Sequence, residues 1–429
     1  MEGRTVRWNE AVLVGFTVAT NLADGVAKIV LPLLAVGLTD SPGLVAGVGL
    51  TLTLPWLLAS LHVGVLVDRG DRRRLAAAAN LVRLAVVLGL LVAVAAGALS
   101  LPLLYLAGAS IGLAEVVANS AVGALVPAAV PRERLGRVNA WIAGAETVAN
   151  EFAGPALGGL LVGVGAAVAL GSSAMAFALG AVLLVLLAGR FRAGAPGPGG
   201  RESGREREPG RVRAEMVEGL AFLWRQRLLR TMSLTIAALV ACWSAWLALL
   251  PSYAIRVLDL DPAGYGLLLG SIGVGGLLGA VLVTAVNRLL GVRWALFADL
   301  VGTIVMMIVP AVFPDAWAVG AAALLGGMGG TLWTVNSRTL AQLVVPDRLL
   351  GRYGAAARLL SWGTLPVGAG LAGGLAEVTG LTGAFAIFAV VAAVPVVPFL
   401  MTVTDREIAL AQRGSELDHE ILGGFRNKH

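Results

Sequence analysis

The 429-residue sequence has few charged residues, one cysteine and three histidines. Charged residues make up 14% of the chain, against about a quarter in an ordinary soluble domain, and 58% of the residues are hydrophobic. The single Cys242 excludes an intrachain disulfide, and the scattered histidines lack the spacing of a metal site. Nucleophile-elbow, Walker-loop and zincin motifs are also missing, so no motif in the sequence indicates an enzyme.

The hydrophobic residues occur in uninterrupted blocks of about twenty or more, the length that crosses about 30 Å of hydrocarbon. A short polar lead runs directly into the first block, which predicts no cleavable signal peptide. The pattern predicts an all-α membrane protein with twelve transmembrane helices. We place these helices at residues 11–37, 43–67, 76–97, 101–129, 139–163, 166–189, 231–256, 264–287, 294–313, 317–344, 353–377 and 383–403.

The two halves of the sequence repeat each other. The segment 130–137 (VPRERLGR) matches 345–352 (VPDRLLGR), and at the same offset 158–160 (GGL) matches 373–375 (GGL). Two parallel six-helix repeats around a site at the bilayer midplane are typical of a secondary transporter that works by rocking. We therefore predict two pseudo-symmetric six-helix bundles at 1–189 and 231–403, a cytoplasmic linker at 190–230 and a cytoplasmic tail at 404–429.

The formal net charge of +6 follows membrane topology and does not indicate nucleic-acid binding. Arg and Lys lie almost entirely in alternate loops, and Arg256 is the only basic residue that we find in the intervening loops. Because basic loops stay on the cytoplasmic side, both termini are expected in the cytoplasm and the protein in the plasma membrane.

The middle segment changes character along its length. Residues 193–210 are Gly, Pro, Arg and Glu with no aliphatic residue beyond Ala, which predicts a flexible linker. Met216, Leu220, Leu223 and Trp224 then follow helical spacing. This spacing predicts an amphipathic helix on the inner membrane surface.

The loop between the second and third predicted spans (64–74, GVLVDRGDRRR) resembles the signature loop of the major facilitator superfamily. The resemblance implies the major facilitator fold and a conformational latch that closes in the outward-facing state. The residues that carry it are Gly64, Asp68, Arg69, Arg72 and Arg73. One position departs from the family pattern, because Asp71 stands where the family usually has Gly.

The fifth predicted span contains Gly154, Pro155, Gly158 and Gly159, which resemble a motif of exporters in the same superfamily. Pro155 removes a backbone donor and kinks the helix, and the glycines permit a close crossing. Further segments resemble the twelve-span drug:proton antiporters, the branch that includes macrolide efflux proteins and the enterobactin exporter. These segments are 23–25 with 31–34, 135–140 and 218–224.

Ionisable residues inside the predicted spans are the clue to mechanism, because each costs at least about 2.5–3.5 kcal/mol at mid-helix. Asp24 and Lys28 share a face of the first span, either as a mutual salt bridge or in a functional role, and Asn21 lines the same stripe. The other candidates for a proton and substrate cavity are Glu115, Glu146, Asn150 and Glu151. With one Lys against these carboxylates, the sequence predicts a net negative cavity.

Isolated charges also occur in the second half. Arg338 and Arg358 are candidates for pairing with these carboxylates or for contacting an anionic substrate. Asp299 falls in a span that should lie at the periphery, which favours a structural role.

We therefore expect a monomeric exporter of small amphiphilic molecules, in contact with membrane lipid, that needs no cofactor and is driven by the proton gradient. The alternatives are a siderophore or natural-product exporter that reads an anionic substrate through Arg338 and Arg358, and a lysophospholipid flippase. An alternative from a different functional class is an intramembrane enzyme. The dispersal of the carboxylates over three helices and the absence of a metal-binding pair argue against it.

Overall fold

The structure is a computed structural model that describes residues 2–188, 218–345 and 347–409. Within those ranges the backbone is helical apart from short turns and caps. The predicted flexible linker at 193–210 and most of the predicted tail lie outside the described residues.

The first half of the chain forms eight α-helices and one wider helical turn. Besides the loops that follow α1, α4 and α5, four short features separate neighbouring helices: a break at Ala59, a turn at Gly70, the π-helical turn Thr147–Ala153 and a bend at Gly165. The helices are α1 (Glu2–Val36), α2 (Pro42–Leu58), α3 (Ser60–Arg69), α4 (Arg72–Ala95), α5 (Leu101–Ala129), α6 (Arg132–Glu146), α7 (Gly154–Val164) and α8 (Ala166–Leu186).

Seven more helices follow residue 226 in the described part of the chain. They are α9 (Arg227–Arg256), α10 (Pro262–Leu289), α11 (Val292–Val312), α12 (Ala316–Val344), α13 (Asp347–Trp362), α14 (Leu365–Ala393) and α15 (Val396–Thr402). Inside α14, Gly380 adopts φ 76°, a left-handed conformation that favours glycine and bends the helix.

The described helices confirm a membrane protein. Nine helical stretches are long and apolar enough to cross a bilayer, and the shorter α2 is also apolar. Several predicted and observed ends agree within a few residues, but α1 begins at Glu2, nine residues before the predicted start at 11, and the predicted spans 353–377 and 383–403 are divided differently into α13, α14 and α15. The third predicted span, 76–97, corresponds to α4 (Arg72–Ala95). Asp71 explains that earlier start, because its side chain accepts a hydrogen bond from Arg74 N as the N-cap of α4.

The chain divides into two compact units, and the first is built from three separate segments. Unit 1 contains Met1–Gly204, Leu247–Gly273 and Ala369–Leu381. Its core includes one cluster around Val30, Leu31 and Phe177 and another around Leu13, Phe16 and Leu125. The large apolar residues of α1 therefore face inward over most of its length.

Unit 2 contains Arg205–Trp246, Val274–Gly368 and Thr382–His429. Its core joins α9, α11, α12 and α15 through a cluster that includes Leu239, Leu300, Trp333 and Phe399.

The described part of the predicted amphipathic segment, residues 218–225, is helical. Leu223 is fully buried against Val345, Leu349 and Tyr353, while Leu220 and Trp224 are exposed. One face of this short helix thus packs on unit 2, and Met216 lies outside the described residues.

Candidate polar cavity in the first unit

The predicted polar stripe of α1 is buried in unit 1. Asn21 and Asp24 are 5% and 3% exposed, and Glu115 on α5 is 4% exposed. Helical spacing of three and four residues places Asn21, Asp24 and Lys28 on one face of α1. The side chain of Lys28 keeps 37% of its surface accessible, so it is the most open member of the group.

Lys28 is held by two other helical segments. Its Nζ lies 3.3 Å from Glu115 Oε1 and donates a 2.9 Å hydrogen bond to Asn150 Oδ1. The salt bridge of Lys28 is therefore made across the bundle to α5, and the ammonium group joins α1, α5 and the π-helical turn.

Asn150 connects the remaining members of the network. Its Nδ2 donates to Asn21 Oδ1 at 3.0 Å and to Glu115 Oε1 at 3.4 Å. Asn150 belongs to the π-helical turn Thr147–Ala153, and such wide turns occur mostly as short insertions at functional sites. The turn re-aims the helix just before Pro155 and brings the Asn150 amide within reach of α1.

Two glycines make this approach possible. A Cβ on Gly25 would lie 2.8 Å from the carbonyl oxygen of Asn150, and a Cβ on Gly154 would lie 2.7 Å from Gly25 Cα. Such distances leave no space for a side chain at either position. The predicted role of Gly154 in a close crossing therefore agrees with the packing of α1 against α7.

Asp24 pairs with a residue that sequence reasoning missed. It accepts a hydrogen bond from Arg83 on α4, and the side chains of both residues are at most 3% exposed. The Arg83 guanidinium also lies over the Phe177 ring, 5.0 Å from its centroid. Arg83 and Asn80 interrupt the apolar run at 76–97, so the rule that identified Asp24 would have found Arg83 as well.

Arg83 changes the charge of this region. The net negative cavity was predicted without it, whereas the structure matches Asp24 with Arg83 and Glu115 with Lys28. The Asp24–Arg83 pair remains incompletely bonded, because Asp24 Oδ1 and Arg83 Nη2 have no hydrogen-bond partner among the described residues.

The other predicted cavity residues are less defined. Glu146 is half-buried at the end of α6. The side chains of Glu151 and Arg358 lie outside the described residues. Arg338 is exposed on α12 in unit 2.

The predicted latch loop joins the ends of several helices in unit 1. Arg72 Nη1 donates to the Ala124 carbonyl at 3.0 Å, and Arg73 Nη2 donates to the Val185 carbonyl at 2.7 Å. Among the residues that the structure describes, no atom lies within 4 Å of a Cβ placed on Gly64. The side chains of Asp68 and Arg69 lie outside the described residues.

The remaining glycines of the span-five motif support tight crossings. A Cβ on Gly158 would lie 3.1 Å from Val26 Cα, and one on Gly159 would lie 2.1 Å from Gly266 Cα. Gly266 belongs to the segment Leu247–Gly273, which is part of unit 1. Pro155 occupies the first turn of α7, where its missing N–H costs little.

The segment 38–43, which connects α1 to α2 and includes the first two residues of α2, is bound by two side chains of unit 1. We call this segment the turn 38–43. Arg256 donates to the carbonyls of Thr39 and Asp40, and its Nη2 lies 3.1 Å from Asp40 Oδ1. Glu377 accepts from the Ser41 hydroxyl and, at 2.8 Å, from Gly43 N. The Arg256 guanidinium thus binds the carbonyl side of the turn, and the Glu377 carboxylate binds its N–H side.

Residues 11–416 match a protein family described as transmembrane secretion effector. The chain belongs to this family of the major facilitator superfamily. Its members are transporters and not enzymes. This confirms the predicted superfamily and the prediction that the protein is a transporter.

Curated relatives and solved structures agree with this assignment. The chain is 29% identical over 383 residues to the multidrug efflux pump Tap of Mycobacterium tuberculosis, covering 85% of this chain and 86% of the relative. The Tap of Mycolicibacterium fortuitum is 26% identical over 345 residues, covering 77% and 80%.

Among solved structures, a bacterial homologue of the iron transporter ferroportin in the inward-facing state matches with TM-score 0.68 and 17% identity, covering 92% of this chain and 98% of that chain. The nucleoside transporter NupG matches with TM-score 0.65 and 11% identity, covering 93% and 98%. These two similarities show the fold of the chain.

Proposed function

We propose that this transporter exports small amphiphilic molecules, of the drug or macrolide type, in exchange for protons by alternating access. The name of its relatives, multidrug efflux pump Tap, supports the direction and the substrate class. We further propose twelve spans in two six-helix bundles. This count follows if α2–α3 and α6–α7 each form one span, α13 forms one span with the part of α14 before Gly380, and α15 forms one span with the part after it.

The orientation in this proposal follows from charge. Basic residues lie in alternate loops, so we place both termini and the loop with Arg72 and Arg73 in the cytoplasm. The turn 38–43 then faces outward. The protein is proposed to act as a monomer in the plasma membrane.

The observation that carries the proposal is the network of Glu115, Lys28 and Asn150. The Glu115 side chain, which is 5% exposed, is neutralised there by Lys28, whose side chain keeps 37% of its surface accessible. Such a pair resembles a bound cation and its counter-ion, with the cation supplied by the protein. A cationic substrate head group can therefore replace Lys28 at Glu115 without leaving an unpaired buried carboxylate.

Proton coupling follows from the same exchange. Glu115 can be neutralised by Lys28, by a substrate cation or by a proton, and only one of these is needed at a time. A proton that arrives from outside displaces the substrate cation outward, and loss of that proton to the cytoplasm restores the site. Asn150 supports each state, because its amide donates to Glu115 and accepts from Lys28.

Asp24 and Arg83 are assigned a supporting role in this cycle. Their side chains are almost inaccessible, so neither presents its charge to a substrate. The pair joins α1 to α4 and fixes the face of α1 that carries Lys28.

The test is pH-driven efflux from proteoliposomes that contain the full chain. Wild type and Glu115→Gln are compared on a cationic dye, a macrolide and an anionic siderophore. Glu407→Gln is the matched control, because it makes the same chemical change at an exposed position. We expect wild type and the control to export the dye or the macrolide when a proton gradient is imposed, and Glu115→Gln to lose the coupling.

Other outcomes separate the alternatives. Transport of the siderophore alone would favour the anionic-substrate exporter with Arg338. Lipid movement without a proton gradient would favour the flippase. Normal coupled export by Glu115→Gln would refute the role of Glu115, and Glu151→Gln would then be the next variant, since Glu151 lies beside Asn150.

A further inference from the structure

Unit 2 contains one buried carboxyl group that the cycle above does not use. Asp299 lies on α11 and is 1% exposed. A charged carboxylate at such a position inside a long apolar helix is strongly unfavourable. A hydrophobic residue at this position would avoid the unfavourable free energy of burying a carboxyl group.

The surroundings of Asp299 are tightly packed and apolar. A Cβ on Gly329 of α12 would lie 2.7 Å from Asp299 Cα, so the two helices touch at this point. A Cβ on Gly330 would lie 3.9 Å from Asp299 Oδ1 and 3.6 Å from the ring of Trp243. Leu296 and Leu300, one turn away on α11, are fully buried.

Asp299 has no ionic partner among the residues that the structure describes. No basic side chain of the described ranges lies within salt-bridge distance, and Oδ1 has no hydrogen-bond donor. The Thr303 hydroxyl, one turn further along α11, is equally buried and also lacks a described partner. Two polar groups on one face of the helix thus mark a small polar spot in an apolar interface.

The charged and titratable groups of the neighbouring elements lie elsewhere. On α12, Arg338 is exposed and nine residues from Gly329, about 14 Å along the helix at about 1.5 Å per residue. The thiol of Cys242 on α9 donates a hydrogen bond to the Phe388 carbonyl. The rest are at or toward helix ends: Arg227, Arg230, Tyr253 and Arg256 on α9, and Arg293 on α11 itself.

We propose that Asp299 is a proton-binding site of unit 2, occupied by a proton in this conformation. A buried carboxyl without a cation is stabilised by taking up a proton, because the neutral acid avoids the cost of burying a charge. Binding converts the carboxylate to a carboxylic acid, with the proton supplied by water. The site lies in a different unit from Glu115 and differs from it in lacking a cation that could replace the proton.

The test is infrared spectroscopy of the full chain in lipid, which detects the carbonyl stretch of a protonated carboxylic acid and its shift in deuterated water. Wild type at neutral pH should show such a band, and Asp299→Asn should lack it. Asp24→Asn is the matched control, because it removes an equally buried carboxylate that has an arginine partner. The band should remain in that variant.

A second variant covers the case in which Asp299→Asn does not fold. Thr303→Val retains the acid and removes the neighbouring hydroxyl, so the band should persist at a shifted position. A wild-type spectrum without the band, or a band that Asp299→Asn leaves in place, would overturn the proposal. Neither result depends on efflux, so failure of the exporter proposal at Glu115 is distinguishable from failure here.

Discussion

The two units bury acidic side chains in different ways. In unit 1, Asp24 and Glu115 each face a basic residue, Arg83 and Lys28, on another helix. In unit 2, Asp299 packs against the backbone of Gly329 and has no ionic partner among the described residues. On the proposal above, a buried carboxyl is accommodated in unit 1 by a cation on another helix and in unit 2 by a proton.

The largest expected effect comes from breaking the Asp24–Arg83 pair. Arg83→Met leaves Asp24 buried without its cation, so that it must either bury an uncompensated charge or take up a proton; we expect a loss of about 3–5 kcal/mol in the free energy of unfolding. Chemical unfolding of the purified chain in detergent measures this change.

The double variant Asp24→Asn with Arg83→Met is the control for the first prediction. It removes both charges and should recover most of the lost stability. If the double variant is no more stable than Arg83→Met alone, the Asp24 charge is not the cause.

An intermediate effect is expected where α11 touches α12. Gly329→Ala places a Cβ 2.7 Å from Asp299 Cα and should destabilise unit 2 by about 1–3 kcal/mol, because backbone must move. Gly330→Ala is the neighbouring control, since its nearest atom is 3.6 Å away and alanine favours the helix. Thermal unfolding of both variants checks the prediction, and equal losses would contradict it.

The smallest effect is expected at the surface of unit 2. Asp405 lies 3.5 Å from Arg293 and its side chain is 71% exposed. Asp405→Asn should change the stability by at most about 1 kcal/mol, because water and salt screen exposed pairs. Unfolding at low salt should give this small difference, and high salt should reduce it further. A loss as large as that of Arg83→Met would contradict the contrast between buried and exposed pairs.

Much of the cavity could be predicted from the sequence because polar residues stand out in apolar runs. Asn21, Asp24, Lys28, Glu115 and Asn150 were identified in this way, and the structure brings four of them into one network. Their partners were not predictable, because which helices meet is decided by packing. The shared face of Asp24 and Lys28 suggested a mutual salt bridge, yet each has a partner on another helix.

Two features were beyond sequence reasoning for physical reasons. The π-helical turn at Thr147–Ala153 has no distinct sequence pattern, although Gly154 and Pro155 mark its end. The environment of Asp299 depends on two glycines of α12 that approach it through backbone contact. Periodicity indicates a buried face, but it does not show whether a buried acid has a partner.

The grip on the turn 38–43 has a consequence for how the chain is made. The turn is synthesised early, but the Arg256 and Glu377 side chains that hold it come 216 and 336 residues later than their partners. Because chains are synthesised from the N-terminus and domains fold as units, unit 1 is completed only after Glu377 has been synthesised. Until then the turn 38–43 lacks at least one of the two side chains that bind it and is open to other partners.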